Sequence, residues 1–129
     1  MIRIVPTGEY PALRDKVRKH LEAFVTLSCG DWTLEGLDRD ISAGRLFLIL
    51  INDGQAAGLA ALTNSSVEGH AIAGKGRADW QEELDDVMRD WARRLGKRRV
   101  RIFPRRGWWR FLESRGYRQT EIVAEVKIQ

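Results

Sequence analysis

The clearest pattern along the chain is a helical repeat of apolar residues between residues 79 and 95. Successive apolar positions are one, three or four residues apart, so they share one face of an α-helix. Acidic residues crowd the first turns of this segment and basic residues the last, a polarity that suits the helix dipole. The pattern predicts a long central helix whose apolar face comprises Trp80, Leu84, Val87, Met88, Trp91, Ala92 and Leu95.

Shorter patterns predict the elements on either side of this helix. The turn Asn52-Asp53-Gly54 between two apolar runs is a strong hairpin signal. Thr33 is a good N-cap residue, and helical spacing places His20 on the polar side of the first helix. Besides the central helix we predict helices at residues 12–27, 34–43 and 106–114, and strands at residues 1–5, 46–51, 55–62, 67–73, 100–103 and 118–128.

The order of these elements is β-α-α-β-β-β-α-β-α-β, which favours an α+β fold. The final strand is predicted from alternating apolar residues, which form one face of a half-buried strand. A chain of 129 residues without linkers or repeats is expected to be one domain, residues 1–129. The alternating residues of the final strand are Ile122, Ala124, Val126 and Ile128.

Composition narrows the class of protein. The longest apolar run, residues 46–51, is far shorter than the roughly 20 residues of a membrane span, and the first residues lack the apolar core of a signal peptide. Cys29 is the single cysteine, so we expect no internal disulfide, no metal site and a cytoplasmic location. The net charge is +4, but residues 93–110 carry nine Arg or Lys and no acid. This uneven charge indicates that the segment contacts a binding partner.

Two stretches resemble the second half of a GNAT-family acetyltransferase domain. They are DVMRDWARRLGKRRVRIFP (residues 86–104) and GWWRFLESRGY (residues 107–117), in which a long helix, a strand, a short helix and a closing Gly-aromatic pair follow one another. DGQAAGLAAL (residues 53–62) is similar to the family's second and third strands. The resemblance implies an α/β/α arrangement, with a mixed, mostly antiparallel sheet flanked by helices.

The resemblance also implies a site for the pyrophosphate of acetyl-CoA at the start of the central helix, where free backbone N–H groups converge. One alignment puts this loop on residues 76–81, where the acid Asp79 and the bulky Gln81 would obstruct a phosphate. A second alignment puts it on residues 73–78. A third interpretation is a glycine-rich turn that binds nothing. The second alignment makes Gly74, Lys75, Gly76, Arg77 and Ala78 the candidate cofactor-binding residues.

Catalysis by the family requires a base for the attacking amine and an acid for the leaving thiolate. Glu68 and His70 are the titratable residues of the third central strand, and their alternation places both on one face. They are the candidate catalytic residues, or else two solvated residues at an edge. The usual tyrosine acid corresponds to Leu112, and the usual asparagine to Arg105, so both are replaced, and Tyr117 is expected to be the closing core aromatic.

A basic and aromatic segment follows the central helix. Arg and Trp are enriched at protein interfaces, and basic residues interleaved with aromatics also suit single-stranded nucleic acid. Alternatively, the segment is part core and part solvated surface. Because two adjacent tryptophans cannot easily both be buried, we expect one to be exposed. The candidate interface residues are Arg101, Arg105, Arg106, Trp108, Trp109 and Arg110.

These observations lead to three hypotheses for function. In the first, a GNAT-fold protein with a degenerate acetyl-CoA site and no cofactor acts as a binding or virion component, through a protein partner or self-association. This hypothesis draws on a resemblance to small bacteriophage GNAT-like proteins with the pattern GW-x-R-x-L-x-x-x-G-Y, here residues 107–117. The second is an acyl-CoA-dependent N-acetyltransferase that uses acetyl-CoA. The third is an accessory protein that binds nucleic acid through residues 93–110.

Overall fold

The structure is a computed structural model that describes residues 1–105, 107–121 and 124–128. Short 3-10 turns lie at Thr7–Glu9 and Asn52–Gly54. The helices and strands of the described residues are β1 (Ile2–Ile4), α1 (Tyr10–Leu13), α2 (Arg18–Leu27), α3 (Leu34–Ser42), β2 (Phe47–Ile51), β3 (Ala56–Leu62), β4 (Ser66–Gly74), α4 (Arg77–Arg94), β5 (Arg99–Ile102) and α5 (Trp109–Ser114).

The strands form one sheet in the order β1-β2-β3-β4-β5, antiparallel except for the parallel pair β4 and β5. The predicted mixed, mostly antiparallel sheet is therefore confirmed. The β2–β3 hairpin turns at Asn52–Gly54, where all three residues have a positive φ, as the Asn-Asp-Gly sequence predicts.

Helices cover both faces of the sheet. Side chains alternate along each strand, so apolar side chains of one strand pack on both faces. Leu48 and Leu50 of β2 pack with residues of α1–α3, including the fully buried Tyr10. Ile49 and Ile51 point the other way and pack against α4. Each fully buried side chain of this size contributes about 1.5–3 kcal/mol of transfer free energy, so the two cores fix the α/β/α arrangement.

The central helix α4 agrees with its predicted pattern over most of its length. Trp80, Met88 and Ala92 are buried against the sheet. The helix begins at Arg77, two residues before the predicted start, and ends before Leu95, which is 43% exposed. The first turn was missed because it precedes the first apolar position of the repeat.

The predicted helix at residues 12–27 is wrong in its continuity, because α1 and α2 are separate helices. Helical hydrogen bonds still link them: Val17 N–H donates to Leu13 O at 3.1 Å, and Leu21 N–H to Val17 O at 3.1 Å. The apolar spacing therefore survives the break and cannot reveal it. His20 is buried rather than on the polar side, with Nε2 2.8 Å from Gly54 O in the hairpin turn.

The predicted final strand at residues 118–128 is wrong for the residues that the structure describes, which carry no strand there. Val126 and Ile128 are 81% and 85% exposed. Alternation is a local signal, whereas a strand needs a neighbouring strand to pair with its backbone. Ile122 of this prediction, and Arg106 of the predicted interface and short helix, lie outside the described residues.

Candidate functional site

A cleft opens where β4 and β5 part. Their pairing runs from Ser66 with Arg99 to Gly69 with Ile102, and Phe103 N–H still donates to Gly69 O at 3.2 Å. The chain then leaves the sheet at Pro104, whereas β4 continues to Gly74 beside β3 alone. The cleft between the two strands has a volume of about 690 Å³ and is open in part to solvent. Its walls are mainly apolar side chains of β4, of α4 and of residues 103–105 and 107–112, which are called the α5 segment below.

A β-bulge in β4 lies at the same point. The pairing with β3 jumps from Gly69 opposite Ala60 to Ala71 opposite Leu59, so His70 is the extra residue. A bulge re-aims side chains and disrupts the ladder locally. The bulge residue His70 is one of the residues that line the cleft.

The two candidate catalytic residues lie together, as predicted. His70 Nε2 is 3.3 Å from Glu68 Oε1, and Arg101 Nη1 is 3.2 Å from Glu68 Oε2. Glu68 is buried and His70 partly buried, so the alternative of two solvated edge residues is wrong. The His70 ring stacks on Phe103 with ring centroids 5.0 Å apart, which fixes its orientation.

This arrangement is suited to proton transfer. A neutral imidazole that donates from Nε2 to a carboxylate keeps Nδ1 as an acceptor. Histidine oriented by a carboxylate is a common general base near neutral pH. The His70–Glu68 pair can therefore take a proton from a group that enters the cleft.

The glycine-rich loop lies at the start of α4. Gly76 is the N-cap with φ +80°, a conformation that favours glycine. The indole Nε1 of Trp80 donates to Lys75 O at 2.8 Å, and Gln55 Nε2 donates to the same oxygen at 3.1 Å. These two bonds hold the loop, which lies at residues 75 and 76 between the end of β4 and the start of α4.

Of the two alignments, the one to residues 73–78 spans the junction between β4 and α4, whereas the one to residues 76–81 lies mostly in the first turns of α4. The loop combines the positive end of an 18-residue helix with the exposed side chains of Lys75 and Arg77 and with small residues at 76 and 78. Asp79 in the first helical turn opposes an anion, but it is exposed. On balance these residues fit a phosphate-bearing cofactor.

The α5 segment forms the outer wall of the cleft. Trp108 packs beside Trp80, with ring centroids 6.2 Å apart, and the Arg77 guanidinium lies 5.1 Å from the centroid of the Trp108 ring. Trp109 is 39% exposed, so the expectation of one exposed tryptophan is confirmed. This packing joins the predicted cofactor loop to the predicted interface segment.

The predicted interface residues that the structure describes differ in their surroundings. Arg101 is engaged with Glu68, and Arg105 and Trp108 line the cleft. Trp109 and Arg110 are exposed. The segment is therefore partly a wall of the cleft and partly a solvent-facing surface.

Sequence reasoning missed a polar cluster at the inner end of the cleft, centred on the buried carboxylate of Asp85. Tyr117 OH donates to Asp85 Oδ1 at 2.6 Å, and Arg115 Nε and Arg89 Nε donate to Oδ2 at 2.7 and 3.0 Å. Asp85 lies on the buried stripe of α4 between Leu84 and Met88, and an acid at such a position was the available signal.

The cluster sets the protonation of its members. Burial acts to raise the pKa of the Asp85 carboxyl, but hydrogen bonds from Tyr117 and the two arginines outweigh it and leave the pKa below its ordinary value. Burial, and then the bond to Asp85, raises the pKa of Tyr117 well above its ordinary value. Tyr117 therefore keeps its proton, which it shares with Asp85.

Two other features are absent from the described residues. These residues contain no helix that is both long and apolar enough to cross a membrane. Within the same ranges, no three His, Cys, Asp or Glu side chains are grouped so as to hold a metal ion.

Comparison with known proteins gives the fold a name. No protein-family model and no curated protein sequence matches the chain. Among solved structures, similarity extends to a probable acetyltransferase (TM-score 0.68, 15% identity, 100% of this chain and 97% of that chain). It extends also to a ribosomal-protein-alanine N-acetyltransferase from Brucella melitensis biovar Abortus 2308 (TM-score 0.65, 11% identity, 100% and 99%).

A third similar structure is the aminoglycoside N-acetyltransferase AAC(6')-Iy in complex with CoA (TM-score 0.61, 15% identity, 100% of this chain and 99% of that chain). Coverage of whole chains on both sides means that the likeness extends over the entire arrangement of elements. The chain therefore has the GNAT acetyltransferase fold.

Proposed function

We propose that this protein is an acyl-CoA-dependent N-acyltransferase. The similar structures include named acetyltransferases, which favours this alternative over a non-catalytic role. The observation that carries the proposal is that three features lie at or beside one cleft. These are the parting of β4 and β5 after Gly69, the bulge residue His70, which lines the cleft and contacts Glu68, and the Gly76 cap of α4, whose neighbour Arg77 packs on Trp108 of the cleft wall.

The cofactor would be held at two places along the cleft. Its phosphates would meet the backbone N–H groups at the start of α4 and the side chains of Lys75 and Arg77, with Gly74, Gly76 and Ala78 leaving room for close approach. Its arm would lie between β4 and the α5 wall. When bound, acetyl-CoA supplies an acetyl group activated as a thioester.

The base would be His70. Its Nδ1 accepts a proton from the attacking amine, while Glu68 holds the other ring nitrogen and stabilises the imidazolium that results. Leu112 is buried and offers no proton. Tyr117 lines the cleft, but its hydroxyl donates to Asp85, so this chain departs from the family's usual tyrosine acid.

Binding of acetyl-CoA tests the proposal before any amine substrate is known. A ligand that binds only the folded state stabilises it, by about 2.7 kcal/mol at a hundredfold excess over Kd. We expect a thermal shift that grows with the acetyl-CoA concentration. Absence of any shift at millimolar acetyl-CoA, with calorimetry also flat, would rule the proposal out.

Binding to a protein partner, to a second copy or to nucleic acid remains a prediction separate from the proposed catalysis. The exposed Trp109 and Arg110 support a protein partner, self-association or nucleic acid at the outer side of α5. The similar structures offer no support for a bacteriophage origin or a virion role.

A further inference from the structure

Two turns lie side by side at one end of the sheet. The turn between β2 and β3 leads into Gln55, and the glycine-rich turn between β4 and α4 runs through Lys75 and Gly76. The side-chain amide of Gln55 joins the two turns, because its Nε2 donates to Lys75 O at 3.1 Å. Its Oε1 accepts a hydrogen bond from Asn52 Nδ2 at 3.0 Å, so both ends of the amide are held.

The glycines of the second turn fit closely against Gln55 and its neighbour. A Cβ on Gly76 would lie 2.3 Å from Gln55 Nε2. A Cβ on Gly74 would lie 2.6 Å from Gln55 O and 2.4 Å from the Cα of Ala56. Glycine alone permits so close an approach at these positions. The contact between the two turns is therefore a sufficient reason for glycine at both.

The turn that precedes Gln55 is itself anchored to the α1–α2 part of the chain. The buried His20 has its Nε2 2.8 Å from Gly54 O. Lys16 forms an ion pair with Asp53. Because these contacts come from another element, Gln55 starts from a fixed base and can fix the neighbouring turn in its place.

These contacts orient one peptide group at the start of α4. Lys75 O and Gly76 N–H belong to the same trans peptide unit, so they point in opposite directions. Lys75 O accepts from Gln55 and Trp80, and Gly76 N–H therefore faces away from both side chains. Within the described ranges, no backbone carbonyl accepts a hydrogen bond from this N–H. Hydrogen bonds to the carbonyl also polarise the peptide unit and strengthen its donor.

We propose that Gln55 is a positioning residue for cofactor binding. By bonding to Lys75 O it turns Gly76 N–H outward, where this group donates to a phosphate oxygen of the acyl-CoA. In this role Gln55 acts through the glycine-rich turn, without contact with the cofactor and from outside the set of residues that line the cleft. This inference rests on the proposed function.

Calorimetry with coenzyme A tests this role. We expect Gln55→Ala to bind coenzyme A about three- to tenfold more weakly than the wild type, the effect of one net hydrogen bond. Because Gln55 is exposed, the free variant should unfold at the same temperature as the wild type. If it unfolds lower, Gln55→Met, which keeps the length of the side chain and removes the amide, replaces it.

Asn64→Ala is the matched control, because Asn64 is also an exposed amide residue and lies in the turn at the other end of β3. It should leave the affinity for coenzyme A unchanged. An equal loss of affinity in Asn64→Ala and Gln55→Ala would overturn the inference.

An NMR measurement separates positioning from a general structural effect. The backbone amide resonance of Gly76 should shift in Gln55→Ala without any ligand, whereas that of Gly96, at the other end of α4, should not. Added inorganic pyrophosphate should move the Gly76 resonance further in the wild type than in the variant. Equal coenzyme A affinity for wild type and variant, or an unmoved Gly76 resonance, overturns the inference but leaves the proposed function standing. Failure of the wild type to bind coenzyme A ends both.

Discussion

At the scale of single residues, the proposed chemistry depends on His70, which the bulge places where the strands part, and on its contact with Glu68. The sequence predicted this pair by alternation and predicted its shared face correctly. It could not predict the bulge, because an extra residue in one strand shows only against the register of its partner. Asp85 was missed because a helical repeat counts an acid as surface unless its partners, here Tyr117 and Arg115, are known.

His70→Gln tests the base. We expect kcat to fall by about 10²–10⁴-fold, because the proton acceptor is lost, with the affinity for acetyl-CoA unchanged. Steady-state kinetics and calorimetry give the two numbers. Glu121→Gln is the control: Glu121 also pairs with Arg101 but is 57% exposed and is not in contact with His70 in the ion-pair network, so kcat should stay within about twofold. Full activity of His70→Gln would contradict the assignment.

Asp85→Asn tests the polar cluster. Because Arg89 and Arg115 would lose the charge that they share, we expect a loss of about 3–5 kcal/mol in the free energy of unfolding. Asp86→Asn removes an exposed partner of the same Arg115 and should cost less than about 1 kcal/mol. Equal effects of the two substitutions in urea unfolding would refute a special role for Asp85.

The same cluster predicts a pH dependence. The pKa of Asp85 is lower in the folded state than its ordinary value, so its stabilising effect is complete above the ordinary value of about 4. That stabilisation is lost as the pH falls through the folded-state pKa. The gap in unfolding free energy between wild type and Asp85→Asn should therefore be constant near neutral pH and narrow below about pH 4. A gap that widens in acid would contradict this sign.

At the scale of elements, apolar period and turn residues predicted the order of strands and helices up to α5, apart from the break between α1 and α2. The resemblance to GNAT domains came from the residues of three stretches, 53–62, 86–104 and 107–117. The boundaries that depend on tertiary contacts could not be predicted from the same patterns. The first turn of α4 at Arg77 precedes the apolar repeat, and the break between α1 and α2 preserves helical spacing. The position of the glycine-rich turn relative to α4 depended on that first turn.

Gly76→Ala tests the loop at the start of α4. A Cβ in this left-handed conformation is strained by about 1–2 kcal/mol and would collide with Gln55 Nε2, which bonds to Lys75 O. We expect acetyl-CoA affinity to fall at least tenfold. Gly96→Ala at the other end of α4 also has positive φ, +69°, but its Cβ meets open space. It should lose similar stability and keep its affinity, and a loss of affinity in both would point to strain alone.

At the scale of the whole molecule, charge and exposed aromatics are divided between the cleft and an outer surface. Sequence composition could show the excess of basic residues but not that Arg101 pairs with the buried Glu68 while Trp109 and Arg110 are exposed. The basic segment at residues 93–110 is therefore partly packed against the fold and partly exposed to solvent.

Trp109→Ala tests the outer surface. If it binds a partner or a second copy, light scattering and pull-down of the wild type should show an association that this variant weakens, since exposed tryptophans are frequent hot spots. Binding to single-stranded DNA, if present, should weaken steeply between about 50 and 200 mM salt. Leu27→Ala, which alters a side chain 47% exposed at the end of α2, is the control.

The measurement that tests the central claim most directly is hydrogen exchange of the backbone amides with and without acetyl-CoA. A cofactor held between the parted strands and the start of α4 should slow exchange in residues 70–78 and leave α3 unchanged. Unaltered exchange throughout residues 70–78 at saturating acetyl-CoA, or protection confined to other parts of the chain, would contradict a transferase site in this cleft.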